Sequence, residues 1–462
     1  MVRSASSSSN ERTNQPEATT VLCPRDKRLK CCVPKVLGPI ALLCLAACGT
    51  DAPRTSPKDP PTAVDVEQHT WASRYLNAVL TQDMAAQTSC LTHLAHDWPA
   101  SLPTLPYRAV MHTAYSSDNL ADSRARFDLL QALFDAHYTP DDGIGLDELW
   151  RDLALAHLDH GDSDAAVTAL QAVNSPFVLI GVRIDNRFAA VRQRLGARLD
   201  IDTAMAAEIS RWRTRVQEHP MELRSVERLA QLLVAAQRSA EALPLLDAAI
   251  SRLRAHQSGH PAYFDESTEY NWILEWRSRA LFQLARLDDA VAQERLASQV
   301  PERGDPNVSQ TINLSQLYND VGRPSDALAA LSNFPERGVS SSGYVLVEFE
   351  RLRAALQLRD EALIDQTAAY LTNHRDTAAG LLQYALVYLG RIQEAVGLYT
   401  TRLADPRERL TALLEAQHYP GAAATPQLEA ESAKWQMFLA LPTVQAAIST
   451  VGVVENFDIR SR

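Results

Sequence analysis

The sequence predicts an all-α protein: a solenoid of helix–turn–helix pairs preceded by a helical region without repeats. Three observations predict it. From Val66 onward the chain is rich in Ala and Leu, poor in Gly and punctuated by Pro. Over the same span apolar residues recur at i, i+3, i+4 and i+7, while the alternation of half-buried strands is almost absent. Segments of similar pattern also return at near-integral spacing. Ala327 and Ala395 stand 68 residues apart, two periods of about 34.

Residues 1–47 lie outside this pattern. SASSSSNERTNQPEATT (4–20) is polar and low in complexity, with nothing to bury. VPKVLGPIALLCLAACGTDAP (33–53) is basic at its start and then apolar for twelve residues, Val36 to Ala47. A helix crossing a membrane needs roughly 20 apolar residues, so this run fits the shorter core of an export signal. Its end, Leu45-Ala46-Ala47-Cys48, resembles the lipobox of bacterial lipoproteins. That resemblance implies cleavage before Cys48, acylation of its thiol and attachment to the membrane through the lipid. With Gly49 where Asp would favour the inner membrane, it implies the periplasmic face of the outer membrane. Translation from Val33 is expected, because it gives a signal of ordinary length. Residues 48–65 contain four prolines and no apolar periodicity, which reads as a semi-extended tether of ~3.1 Å per residue.

Beyond Ala47 the chain carries 38 Lys and Arg against 53 Asp and Glu, a net charge of −15. Acidic excess spread along a chain argues against nucleic acid or anionic headgroups as partners. Five of the six cysteines lie at or before position 48, leaving Cys90 alone in the body. No internal disulfide is possible there, so stability rests on apolar packing.

Residues 66–146 are helical but without the repeat. CLTHLAHD places Cys90, His93, His96 and Asp97 at i, i+3, i+6 and i+7. On a helix, Cys90 and Asp97 are about 10.5 Å apart along the axis, too far to converge on one ion at roughly 2.0–2.3 Å. A mixed helix face closed by Pro99 is expected. The alternative is a lipid-anchored envelope enzyme or polymer-binding protein that uses Cys90, His93 and His96. No GxxxxGK[ST], HExxH or GxSxG motif occurs, and GVSSSG (338–343) is one residue too long for the last. No catalytic residue, metal or cofactor is expected.

DELWRDLALAHLDHGDSDAAVTALQAV (147–173) resembles a tetratricopeptide repeat. Trp150, Leu153, Ala154, Gly161, Ala166 and Leu170 sit at its characteristic offsets, with His157 for the usual Tyr. Small residues fall where two helices approach, Gly161 ends the first helix, and Ser163 is expected to cap the second. The pattern returns at 225–250, where Gln237 replaces the turn Gly, at 313–332 and at 381–403. A weaker copy at 277–296 rests on Ser278 and Ala290, and 349–371 is degenerate but helical. One irregular unit is expected across 177–215. The repeats therefore cover 147–405, and 406–462, broken at Pro442, is expected to cap the last of them.

Such repeats imply a groove lined by the first helix of each pair, which holds a peptide or a partner's helix. The implied role is a membrane-anchored adaptor for a protein partner in the envelope. Arg224, Glu227, Gln231, Glu275, Arg279, Asn313 and Gln316 form no repeated Lys/Asn clamp for a carboxylate, and the two Glu would repel one. Further along, Trp272 and Trp276, and Tyr384 and Tyr388, stand at i, i+4 on single helix faces. Aromatic residues often dominate binding surfaces. The groove candidates are therefore Gln231, Trp272, Trp276, Arg279, Asn313, Gln316, Tyr384 and Tyr388, reading an internal segment through aromatic and amide contacts. Core packing is the alternative role for Trp276.

Overall fold

A computed structural model describes residues 63–119, 122–140, 145–255, 262–301, 307–332, 334, 339–421 and 425–459. The segment expected to be an export signal, Cys48 and most of the expected tether lie outside them. Helix α1 (Ala63–Leu80) begins directly after the prolines, three residues ahead of the expected Val66. Helices α2 (Met84–Asp97), α3 (Tyr107–Ser116) and α4 (Ser123–Asp135) complete a small bundle, with α2 touching the other three. A polar thread runs through its core. Tyr75 and Thr113 hydroxyls meet at 3.1 Å, Thr113 donates to Gln87 at 3.0 Å, and Gln87 donates to the Ala78 carbonyl at 3.1 Å.

Helices α5 (Asp147–Asp159) and α6 (Ser163–Gln171) form the first pair. The cap of α6 is Asp162 rather than Ser163: its carboxylate accepts from the Ala165 amide at 2.9 Å, and Ser163 is the first helical residue. The irregular unit follows as α7 (Pro176–Ile184), α8 (Ala189–Leu195) and α9 (Ile201–Glu218). Five more pairs succeed it: α10 (Leu223–Ala235) with α11 (Ser239–Ala255), α12 (Glu266–Gln283) with α13 (Leu287–Gln299), and α14 (Val308–Asp320) with α15 (Pro324–Ala330). Then come α16 (Ser341–Leu358), capped by Ser340, with α17 (Glu361–Asn373), and α18 (Arg375–Tyr388) with α19 (Ile392–Ala404). Each pair packs on the next in sequence order.

One local rule builds all six pairs. The turn holds a residue at positive φ: Gly161, Gln237, Ala285, Gly322, Arg359 and Gly390 in order. Five residues later the second helix meets the first at Ala166, Ala242, Ala290, Ala327, Ile364 and Ala395, the alanines fully buried. Opposite them stand Ala154, Ala230, Ser278, Ser315, Leu352 and Gln383. Where that residue is polar it donates across the pair: Ser278 to the Ala290 carbonyl at 2.9 Å, Ser315 to Ala327 at 3.2 Å and Gln383 to Ala395 at 3.1 Å. In the fifth pair Leu352 and Ile364 fill both positions, which is why its sequence looks degenerate. Left-handed backbone costs a residue with a Cβ roughly 1–2 kcal/mol, whereas Gly loses about 0.5–1 kcal/mol more backbone entropy on folding. Ala285→Gly is therefore expected to stabilise by about 0.5 kcal/mol. A urea titration in which the midpoint falls instead would contradict this turn geometry.

Helices α20 (Arg409–Glu415), α21 (Pro426–Leu439) and α22 (Pro442–Val451) end the described chain. Helix α22 packs on α19, as a cap does, but the segment does more than cap. Helix α7 is PFVLIGVRI, buried at every residue except Arg183. A helix apolar all round needs neighbours all round; α5 and α9 supply two, and α20 arrives from the far end of the array as another. Leu410 packs over Gly181, where a Cβ would lie 3.0 Å from its methyl. The seam is completed by an isolated antiparallel bridge between Asp185 and Gly452, an amide bond from Val453 to the Ile184 carbonyl at 3.0 Å, and an Arg183–Glu455 ion pair at 2.5 Å. The solenoid thus closes on itself.

Candidate partner-binding face

Along the first helices, α10 packs on α12, α14 on α16 and α16 on α18. The residues facing across these contacts form a polar ladder. Arg224 on α10 pairs with the buried Glu269 of α12 at 2.8 Å and donates to Tyr107 of α3 at 3.0 Å. The Trp276 indole donates to the fully buried Glu227 at 3.0 Å. Glu275 accepts from Arg279 at 2.9 Å and from Gln310 at 3.0 Å, and Asn313 donates to Gln310 at 3.1 Å. Asn319 donates to the Glu350 carboxylate at 2.9 Å. Arg353, 5 % exposed, ends the ladder against Asp320 at 2.7 Å, Glu350 at 3.0 Å and Glu431 at 2.8 Å.

The expected groove residues divide among three environments. Gln316 is exposed, and Gln231, Trp272 and Arg279 are half-buried. Gln231 accepts from Arg228 at 2.5 Å, and the Arg279 guanidinium lies 5.0 Å from the centre of the Trp276 ring. Asn313 is buried inside the ladder, and Trp276 packs against the main core while keeping its indole bond, so both are built into the wall. Tyr384 and Tyr388 are covered by the chain's own α21. Trp435 lies 4.3 Å from the Tyr384 ring, Tyr388 packs on Phe349 at 6.3 Å, and Lys434 donates to the Tyr388 carbonyl at 3.1 Å. Burial pushes the Tyr388 phenol upward in pKa, and Glu431 pushes it further.

Helix α21 belongs to the segment expected to cap the last repeat. It lies across the first helices: it touches α14 and α18 directly and reaches α16 through Glu431. At its start Thr425 donates to the Asp320 carbonyl at 2.5 Å, and Leu428 packs with the apolar side chains of α12 to α16. Its inward residues are Leu428, Glu431, Trp435 and Phe438, one stripe at helical spacing.

The cluster on α2 does not converge. Cys90 is buried in the bundle core, and that burial raises its pKa. His93 is held between Trp71 at 4.0 Å and Trp98 at 5.3 Å, and its Nδ1 lies 3.1 Å from Asp97. His96, with a side chain 78 % exposed, also turns to Asp97, at 2.6 Å. No Cys–His pair forms.

An open cleft of about 600 Å³ beside the seam is lined by Arg183, Arg192, Asp200 and Glu455 among others. Arg192 is engaged there by the Val182 and Asp185 carbonyls. Among the described residues, no group of His, Cys, Asp and Glu is placed to hold a metal ion, and no helix is long and apolar enough to cross a membrane. No family model and no curated protein matches this chain.

Proposed function

We propose that this protein is a lipid-anchored adaptor of the tetratricopeptide-repeat type, held at the outer membrane of a bacterium. Its first-helix face receives a helix or internal segment of a protein partner in the envelope. The observation that carries this reading is α21: an amphipathic helix already lies across α14, α16 and α18, with its aromatic stripe on Tyr384 and its acid on Arg353. A face that seats a helix of its own chain has the width, the rings and the hydrogen-bonding groups to seat another. On α12 and α14 the same face continues past the start of α21, where Trp272 is half-buried and Gln316 exposed.

The test is photo-crosslinking in cells, with the reactive residue placed at Gln316 or at Trp272 and products taken from the membrane fraction. Discrete protein adducts are expected at both positions. Trp272→Ala should reduce the Gln316 adduct while shifting Tm by less than about 2 °C, the scale of a sub-kcal/mol change in a chain this size. Cys48→Ser should move the protein out of the membrane fraction. Adducts no stronger than those from an exposed position on α13 would sink the adaptor reading. Tyr388→Ala is no clean probe, because Tyr388 packs on Phe349 beneath α21 and its loss should lower stability as well as binding.

A further inference from the structure

The Arg353 site gathers three carboxylates about one buried guanidinium. From α14 comes Asp320, from α16 Glu350 and Arg353, and from α21 Glu431. Their side chains are between 5 % and 15 % exposed. The Tyr388 phenol of α18 borders the cluster, and Asp320 also feels Arg279 of α12. Asn319 donates to Glu350 and Gln427 donates to Glu431 at 3.1 Å, so neutral donors have been recruited as well. Asp320 accepts from Nη2 of the guanidinium and Glu350 from Nη1, while Glu431 of α21 accepts from Nε at 3.2 Å and from Nη2 at 2.8 Å. Glu431 is a third carboxylate on one buried cation, and desolvating negative charge in excess of that cation offsets much of what the two-point pairing returns.

The rest of α21 is lightly held over its first half. From Pro426 to Lys434 no residue is fully buried; Trp435, Phe438 and Leu439 are. The helix is therefore anchored at its C-terminal end by apolar burial, while its N-terminal end rests on the Thr425 cap, Leu428 and a crowded charge site.

We propose that the N-terminal half of α21 is a displaceable occupant of the first-helix face. The partner that replaces it is an amphipathic helix with an apolar residue in place of Leu428 and an amide in place of the Glu431 carboxylate. This rests on the adaptor reading and names its ligand class. An amide oxygen accepts from Arg353 while its NH₂ donates to Glu350 or Asp320, so the incoming helix relieves the repulsion that α21 suffers. The same logic gives a pH dependence. Burial raises the Glu350 carboxyl, Arg353 opposes, and Asp320 and Glu431 raise it further. Seating Glu431 therefore favours uptake of a proton, so α21 or any acid-bearing helix docks better as pH falls and worse as it rises. A helix with the amide lacks most of that dependence.

The test uses the full chain with α21 loosened by Leu428→Gly and Lys434→Gly, which spare the buried Trp435 and Phe438. Two labelled peptides are titrated against it by fluorescence anisotropy: TPQLEAESAK, the sequence of 425–434, and the same peptide carrying the change corresponding to Glu431→Gln. The amide peptide should bind about tenfold tighter at neutral pH, ~1.4 kcal/mol. Only the acid peptide should gain affinity from mildly alkaline to mildly acidic pH. In the otherwise unchanged protein, Glu431→Gln should slow hydrogen exchange across 426–434. Three outcomes overturn the proposal: the acid peptide binds as well or better, neither peptide binds, or the amides of 426–434 stay as protected as the core despite both glycines. Any of these leaves the crosslinks at Gln316 and Trp272 standing. Loss of those crosslinks with the peptide preference intact would instead remove the adaptor reading and keep the charge argument.

Discussion

Replacing Arg402 with Met is expected to lower the unfolding free energy by about 3–5 kcal/mol. Arg402 sits on α19 with 1 % of its side chain exposed. Its guanidinium donates to Glu415 of α20 at 2.8 and 3.1 Å and to Glu408 at 3.3 Å. Burial opposes its charge, but Glu415 and Glu408 hold it more firmly protonated than a free arginine. Removing the cation strands the Glu415 carboxylate, itself only 7 % exposed, between α19 and α20. A second variant separates that cost from simple loss of packing. Arg402→Met with Glu415→Leu removes both charges and should regain most of the loss, because an apolar pair tolerates the site as well as an ion pair does. Denaturant titrations of both proteins measure this directly. A single variant within about 1 kcal/mol of wild type, the range of an exposed ion pair, would mean that the pair is hydrated after all.

The second large effect is expected at the seam. Gly452 has an extended backbone, at φ −167°, so the argument is one of space and not of conformation. A Cβ there would lie 2.7 Å from the Ile184 carbonyl oxygen and 2.6 Å from a Leu413 methyl. The carbonyl is backbone and cannot turn aside. Gly452→Val should therefore cost about 2–3 kcal/mol, the upper range for overpacking, and should break the Val453 amide bond to Ile184. Hydrogen exchange separates this from general destabilisation. The Val453 amide should lose its protection first, while the Ser278 and Ser315 pairs in the middle of the array stay closed. Retained protection at Val453 would show that the seam yields without opening.

The pairs were legible because their rule is local. A turn residue followed five positions later by Ala can be read from a short window, and it failed only where Leu352 and Ile364 replaced the small residues. The closure was not legible as a pairing, since no local pattern links Ile184 to Val453. A trace of it was present all the same: PFVLIGV in a helix demands cover on every side, more than a simple stack supplies. Arg353 and Arg402 left a similar trace, each falling in phase with an apolar stripe, Phe349 and Leu352 in one case and Leu398 and Tyr399 in the other. An arginine in that position announces a buried ion pair. It does not announce that the partner is Glu431, 78 residues on. Tyr384 and Tyr388 show at i, i+4 as one helix face, but nothing local to them shows that Trp435 packs on Tyr384.

The closure also sets an order of events in time. Ile184 and Val453 are 269 residues apart, and contacts so distant form late, after the local pairs have settled. A chain that emerges from its N-terminus builds the bundle and the early pairs first. Throughout that interval α7 has its local neighbours but lacks α20, so an apolar stretch remains bare until the end of the chain is delivered. The docking of the segment beyond Ala404 is therefore expected to be the slowest step in folding, and the period before it the one in which aggregation is favoured.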